Sequence, residues 1–119
     1  MLTLEYDAEL KIIKGVSAGF LTVEDVEDYA QKLARLTCQA RESDGVVRLC
    51  LDSRESLIQS QEVMAAFACL PSMISSPSDR VAVVVSSSLA KLQMKRNFNS
   101  QHERTFTSVE TAVAWLRSD

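Results

Sequence analysis

Val81-Ala82-Val83-Val84-Val85 is apolar at every position and carries four β-branched residues. Such side chains suit a strand and lose rotamer freedom in a helix. A short run that is apolar on both parities also has no solvent face, which is the pattern of a strand covered by helices on both sides of a sheet. Val46-Val47-Arg48-Leu49-Cys50-Leu51 repeats that pattern upstream with a single charge. Two parallel central strands are therefore expected, and the chain between them must supply the crossover.

That crossover contains a helix expected over Ser60 to Ile74. Val63, Phe67, Leu70 and Ile74 form one apolar stripe, and Met64, Ala68, Cys69 and Met73 widen it beyond a single face. Pro71 lacks the donor that would pair with Phe67, so it should kink or end the helix. Toward the N-terminus, Leu2, Leu4 and Tyr6 alternate with Thr3, Glu5 and Asp7, and Leu10 to Lys14 resumes after the polar step Asp7-Ala8-Glu9. This spacing predicts a hairpin with one solvated face. Beyond Gly15 and Gly19, Thr22 stands three residues before Asp25, a capping-box start that also sets Glu24 and Asp25 against the positive end of a helix. Val26, Tyr29, Ala30, Leu33, Thr37 and Ala40 follow at helical spacing, and the helix should end near Ser43-Asp44-Gly45.

Downstream, Leu89 to Phe98 reads as a shorter helix with Lys91, Lys95 and Arg96 on it, and Arg104-Thr105-Phe106 as a brief last strand. Thr107 or Ser108 caps a final helix with Val109, Ala112, Val113 and Leu116 on one face and Trp115 beside them. The expected architecture is one α/β domain over residues 1–119: an N-terminal β-hairpin leading into a mixed central sheet with about four helices packed on it.

With 119 residues there is room for one core only. A net charge of −3 supplies no field that would draw the chain to nucleic acid, so no nucleic-acid partner is expected. The first residues carry acids close behind the apolar ones, unlike a signal or transit peptide, and no apolar run approaches the roughly 20 residues of a membrane span. A cytoplasmic protein is the expectation. Cys38, Cys50 and Cys69 are odd in number and lack metal-ligand spacing, so neither a disulfide framework nor a metal site is expected.

Phosphate-wrapping glycine motifs, a nucleophile elbow and a zincin helix are absent from the sequence, and only three glycines are present. His102, the single histidine, sits in a polar loop and reads as a solvated residue rather than a general base. Asp52-Ser53-Arg54-Glu55 follows the first central strand at its carboxyl end, where open α/β sheets build their sites. Binding or catalysis there competes with simple turn hydrogen bonds from Asp52 and Ser53. For Met64, Phe67 and Met73 near Pro71, ordinary core packing competes with an adaptable apolar pocket. Lys91 and Lys95 share a helix face and would suit an acidic headgroup, against a plainly solvated face.

Gly19-Phe20-Leu21-Thr22-Val23-Glu24-Asp25, Leu51-Asp52-Ser53-Arg54, Asp79-Arg80-Val81-Ala82-Val83-Val84-Val85 and Glu110-Thr111-Ala112-Val113-Ala114-Trp115-Leu116 together resemble the SpoIIAA-like branch of the STAS superfamily. The resemblance implies a mixed sheet with helices packed on it and no enzymatic activity. It also implies carriage of lipophilic molecules, with helices that open an apolar cavity or touch a membrane. Anti-sigma-factor antagonists of the parent family carry a phosphorylated serine at the start of the second helix in an Asp-Ser-Ser-Gly setting. Ser60 is similar in position, although Gln59 and Gln61 flank it, and it serves equally well as an N-cap.

The functional expectation is a non-enzymatic module, without a cofactor, that carries or senses a lipophilic small molecule. Val63, Met64, Phe67, Leu70 and Met73 would line its cavity, and Lys91 or Lys95 would meet the headgroup during transient contact with a membrane surface. The alternative is an antagonist-type protein-interaction switch governed by phosphate on Ser60. A homodimer is a further outlet for the surplus apolar surface.

Overall fold

Five strands and three helices are present in the computed structural model, which describes residues 1–56, 60–68, 77–87 and 102–118, with backbone alone at Ser56, Met64, Phe67 and Ala68. In chain order they are β1 (Leu2–Asp7), β2 (Ile12–Gly19), α1 (Val23–Asp44), β3 (Arg48–Ser56), α2 (Gln61–Ala68), β4 (Arg80–Val84), β5 (Glu103–Phe106) and α3 (Val109–Arg117). They form one mixed sheet in the order β1-β2-β3-β4-β5. Only the β1–β2 pair is antiparallel, so the expected hairpin feeds a parallel sheet.

The sheet is covered on both faces, which explains why β3 and β4 lack a solvent parity. On one side Leu4, Ile13, Val47 and Leu49 pack against Tyr29 and Ala40 of α1. On the other, Ile12, Cys50, Ala82 and Val84 pack against Ala112 and Leu116 of α3. A smaller cluster of Leu21, Val26 and Val63 joins α2 to α1. The helix α1 begins as its sequence predicts: the Asp25 amide donates to Thr22 Oγ1 at 3.1 Å, and the Thr22 amide donates to Asp25 Oδ2 at 2.9 Å. It stops at Gly45, whose φ of 76° is a conformation that costs a side-chain-bearing residue energy.

Several boundaries differ from expectation. The second strand does not stop at Lys14 but runs through Gly15 to Gly19. A Cβ on Gly15 would lie 2.9 Å from both Leu4 Cδ2 and Leu51 Cδ1, so the missing side chain leaves room for the leucines of the strands on either side. Leu10 belongs to the turn, where Asp7 Oδ1 accepts from the Glu9 and Leu10 amides and Lys11 adopts φ 59°. The third strand starts at Arg48, not Val46, and extends through Asp52-Ser53-Arg54-Glu55, the segment expected to turn. Pairing with β2 sustains it, and the register shift from Val16↔Asp52 to Ala18↔Glu55 gives β3 one extra residue, a β-bulge. The described residues hold three helices, not about four. The helix expected over Leu89 to Phe98, with Lys91 and Lys95, lies outside them, as do Leu70, Pro71 and Met73.

His102 is not the solvated loop residue expected. It is half-buried, its Nδ1 is 3.0 Å from the Asp79 carbonyl oxygen, and its own carbonyl accepts from the Val81 amide at 2.8 Å. Asp79 itself is fully buried. It accepts from the Val47 amide at 2.9 Å and from Arg41 Nη2 at 2.8 Å, tying the end of α1 to the starts of β3 and β4. Next to it, Arg80 Nη1 donates to the Trp115 carbonyl at 2.6 Å and the Ser118 carbonyl at 2.9 Å, closing the C-terminus of α3. Arg80 and Arg104 also lie over the Trp115 ring, at 5.2 and 5.3 Å from its centroid. No helix among the described residues is long and apolar enough to cross a membrane.

Candidate functional site

The carboxyl ends of the parallel strands are the place where this topology brings loops and helix starts together. Gly19 at the end of β2 pairs with Ser56 at the end of β3. Gly19 turns the chain with a φ of 69°, which leads it away from the sheet and into α1. Leu21 then points inward against Val26 and Val63, whereas Phe20 is thrown outward and stays 71% exposed. Val23, the first residue of α1, is exposed beside it, as are Ser86 and Ser87 after β4.

The second helix starts at the same end. Ser60 is exposed, and its Oγ accepts from the Val63 amide at 3.2 Å, the N-cap role its position predicts. Val63 is only 2% exposed, because it packs on Leu21 and Val26. As things stand it belongs to the α1–α2 core, and an apolar guest would reach it only if α2 moved. Met64 and Phe67 lie on α2, but their side chains, like the whole of Leu70 and Met73, fall outside the described residues.

Asp52 and Arg54 occupy the bulge. Arg54 Nε donates to Asp52 Oδ1 at 2.9 Å, Nη2 to Oδ2 at 2.8 Å, and the Arg54 amide to Oδ1 at 3.2 Å. The Arg54 hydrogen bonds hold the Asp52 carboxyl below its ordinary value despite partial burial, and Asp52 in turn raises Arg54. A carboxylate stabilised in its ionised form by a bidentate guanidinium is a poor general base. Burial pushes the nearby Cys50 thiol up, which disfavours the nucleophilic thiolate. Among the described residues no group of three or more His, Cys, Asp or Glu side chains is arranged to hold a metal ion.

Several described residues at the rim of this end are acidic. Glu24 and Asp25 lie in the first turn of α1, Glu62 in that of α2, and Glu55 is exposed at the end of β3. The arrangement presents two helix starts, one bare aromatic ring and an accessible serine hydroxyl. Sequence reasoning singled out Ser60 and the Asp52–Glu55 segment but not Phe20. Its signal was the placement of a large apolar residue directly after a glycine and two residues before a cap.

No family model matches the sequence, and no curated protein matches it. A solved structure does: an uncharacterized protein of the DUF3478 family from Shewanella loihica PV-4, described as having a SpoIIAA-like fold. It is 18% identical, the match covers 98% of this chain and 92% of that one, and the TM-score is 0.65. The five-stranded mixed sheet, the opening hairpin and the likeness over nearly the full chain establish that this protein has a SpoIIAA-like fold.

Proposed function

We propose that the chain is a non-enzymatic binding module of the cytoplasm, an interaction switch whose working surface is the carboxyl end of its parallel strands. The observation that carries this reading is the pairing of an exposed Ser60 hydroxyl at the start of α2 with a bare Phe20 at the same end. Phe20 offers a partner protein an aromatic anchor of the kind that dominates interface energetics. A phosphate on Ser60 would add about −1.5 to −2 charge. It would gain the positive end of α2 but stand close to Glu62, one of the acidic residues of that rim, so it would repel an acidic partner and recruit a basic one.

The test is phosphate mapping on protein taken from its own cells. The expected result is a phosphoserine at Ser60 that disappears in Ser60→Ala. A Ser60 left unmodified under all growth conditions would remove the switch.

A second reading, carriage of a lipophilic molecule, is supported by α2 itself. Six of its eight residues, Val63 to Ala68, are apolar, more than one contact face needs. In that reading Val63, Met64, Phe67, Leu70 and Met73 surround the guest, and Lys91 or Lys95 meets its headgroup at a membrane surface. Native mass spectrometry of gently purified protein should then show a stoichiometric apolar ligand, and a clean apo mass with no uptake of added fatty acid would exclude it.

A further inference from the structure

The strand β1 forms one edge of the sheet. Met1 and Ala18 exchange bonds, the terminal amine donating to the Ala18 carbonyl at 2.7 Å and the Ala18 amide to the Met1 carbonyl at 2.8 Å. The antiparallel register then turns Thr3, Glu5 and Asp7 toward β2 and leaves the N–H and C=O groups of Leu2, Leu4 and Tyr6 facing outward. Natural edges are guarded by shortness, proline, bulges or charge. At the other edge β5 is four residues long and carries Arg104. In contrast, β1 has six residues, no proline and no register shift, and its charges are Glu5 and Asp7 in the half that lies beyond Leu4.

A groove of about 290 Å³ runs beside this edge, floored by Leu2 and Leu4 with Tyr29 and walled by Asp28, Gln31, Lys32 and Arg35 of α1. Asp28, Lys32 and Arg35 are exposed, and none has an ion-pair partner among the described residues. Acid therefore stands at one end of the groove wall and base at the other.

We infer that this edge and groove form a two-fold interface with a second copy of the chain, β1 pairing antiparallel with β1 of the partner copy about Leu4. Among occupants, a second copy is the one the charges select. Rotation about Leu4 sets Leu2 opposite Tyr6 and Thr3 opposite Glu5, so no like charges face each other on the strands. The same rotation sets Asp28 opposite Arg35 and Gln31 opposite Lys32. The two patterns share a scale, since Leu2 to Tyr6 spans roughly 13 Å of strand and Asp28 to Arg35 roughly 10 Å of helix. The surface is thus complementary to itself, as a closed dimer requires. Its Leu2 end borders the Leu21, Val26 and Val63 cluster, but neither Ser60 nor Phe20 lines the groove, so changes at Asp28, Lys32 and Arg35 test the dimer without altering the residues of the switch or the carrier reading.

The test is a charge swap on the full chain. Native mass spectrometry and sedimentation at micromolar concentration should give twice the chain mass of 13.2 kDa. Asp28→Lys sets cation against Arg35, and the double variant Lys32→Glu with Arg35→Glu sets anion against Asp28. Each should weaken dimerisation more than tenfold, because like charges brought together across an interface repel strongly. Mixing the two variants, one isotopically labelled, should restore a dimer containing one of each. That rescue cannot come from a merely misfolded chain. A monomeric wild-type protein, variants that dimerise undiminished, or a mixture that forms no heterodimer would overturn the inference, the first leaving the groove to a foreign strand or small ligand.

Discussion

The two ends of the sheet are built differently. At the amino end, side chains bind partners far away in sequence. Asp79 meets Arg41 and Val47, Tyr6 Oη donates to Asp44 Oδ2 at 2.5 Å, and Arg80 closes the C-terminus of α3. At the carboxyl end, the bonds of Thr22, Asp52 and Ser60 reach only two or three residues along the chain. Contacts between distant elements hold a fold together, whereas local caps finish an element without tying it to its neighbours. Among the described side chains the long-range bonds named here thus gather at the amino end, whereas Phe20 and Ser60 are presented at the carboxyl end.

Substitutions should separate the ends, and Asp79→Ala should do most. It removes the buried acceptor shared by Arg41 and the Val47 amide, and breaking such a pair costs about 3–5 kcal/mol. Urea unfolding will measure the drop, and a loss below 1 kcal/mol would mean that the clamp is ornamental.

Tyr29, between the ends, should give the next largest effect. Burial pushes its phenol up to about 12 from an ordinary 10.0. A group raised on folding contributes stability that is whole below its unfolded value and lost as pH rises through the folded one. The unfolding free energy should therefore fall by about 2–3 kcal/mol between pH 10 and 12. Tyr29→Phe should flatten that part of the profile.

Thr22→Ala removes the cap of α1 and half of its capping box. A loss of about 1 kcal/mol is expected, visible in thermal unfolding, because the cap is local. Phe20→Ser should be the mildest, within about 0.5 kcal/mol of wild type, since an exposed ring leaves no cavity when removed. Its effect should appear in partner binding instead, and a large stability loss would show that the ring packs on something and that the carboxyl end is less open than described.

Sequence revealed those parts of the molecule that local chemistry dictates. The β4 run, the Thr22–Asp25 box, the Gly45 stop and the opening hairpin all follow from spacing and residue type. Gly15 interrupts the apolar alternation, so β2 reads short, and only the approach of Leu4 and Leu51 explains why a glycine belongs inside the strand. The polar run Asp52-Ser53-Arg54-Glu55 reads as a turn because nothing local reveals that β2 extends beside it. Asp79 lies within the stretch that carries the family resemblance, yet its partners sit 32 and 38 residues away, out of reach of any window of pattern. At the candidate site, Ser60 was legible as a cap. Val63 was legible as apolar, but its burial against Leu21 and Val26 was not.

Hydrogen exchange at two amides tests the contrast between the ends most directly. The Val47 amide donates to Asp79 at 2.9 Å at the amino end, and the Val63 amide donates to Ser60 at 3.2 Å at the carboxyl end. Each is held by one side-chain oxygen. Val47 should exchange only through global unfolding, with the steep urea dependence of the whole domain, and Val63 should exchange much faster through local opening that low urea scarcely changes. If both amides exchange at one rate with one urea dependence, the carboxyl end is as firmly built as the amino end, and the division of labour between them is wrong.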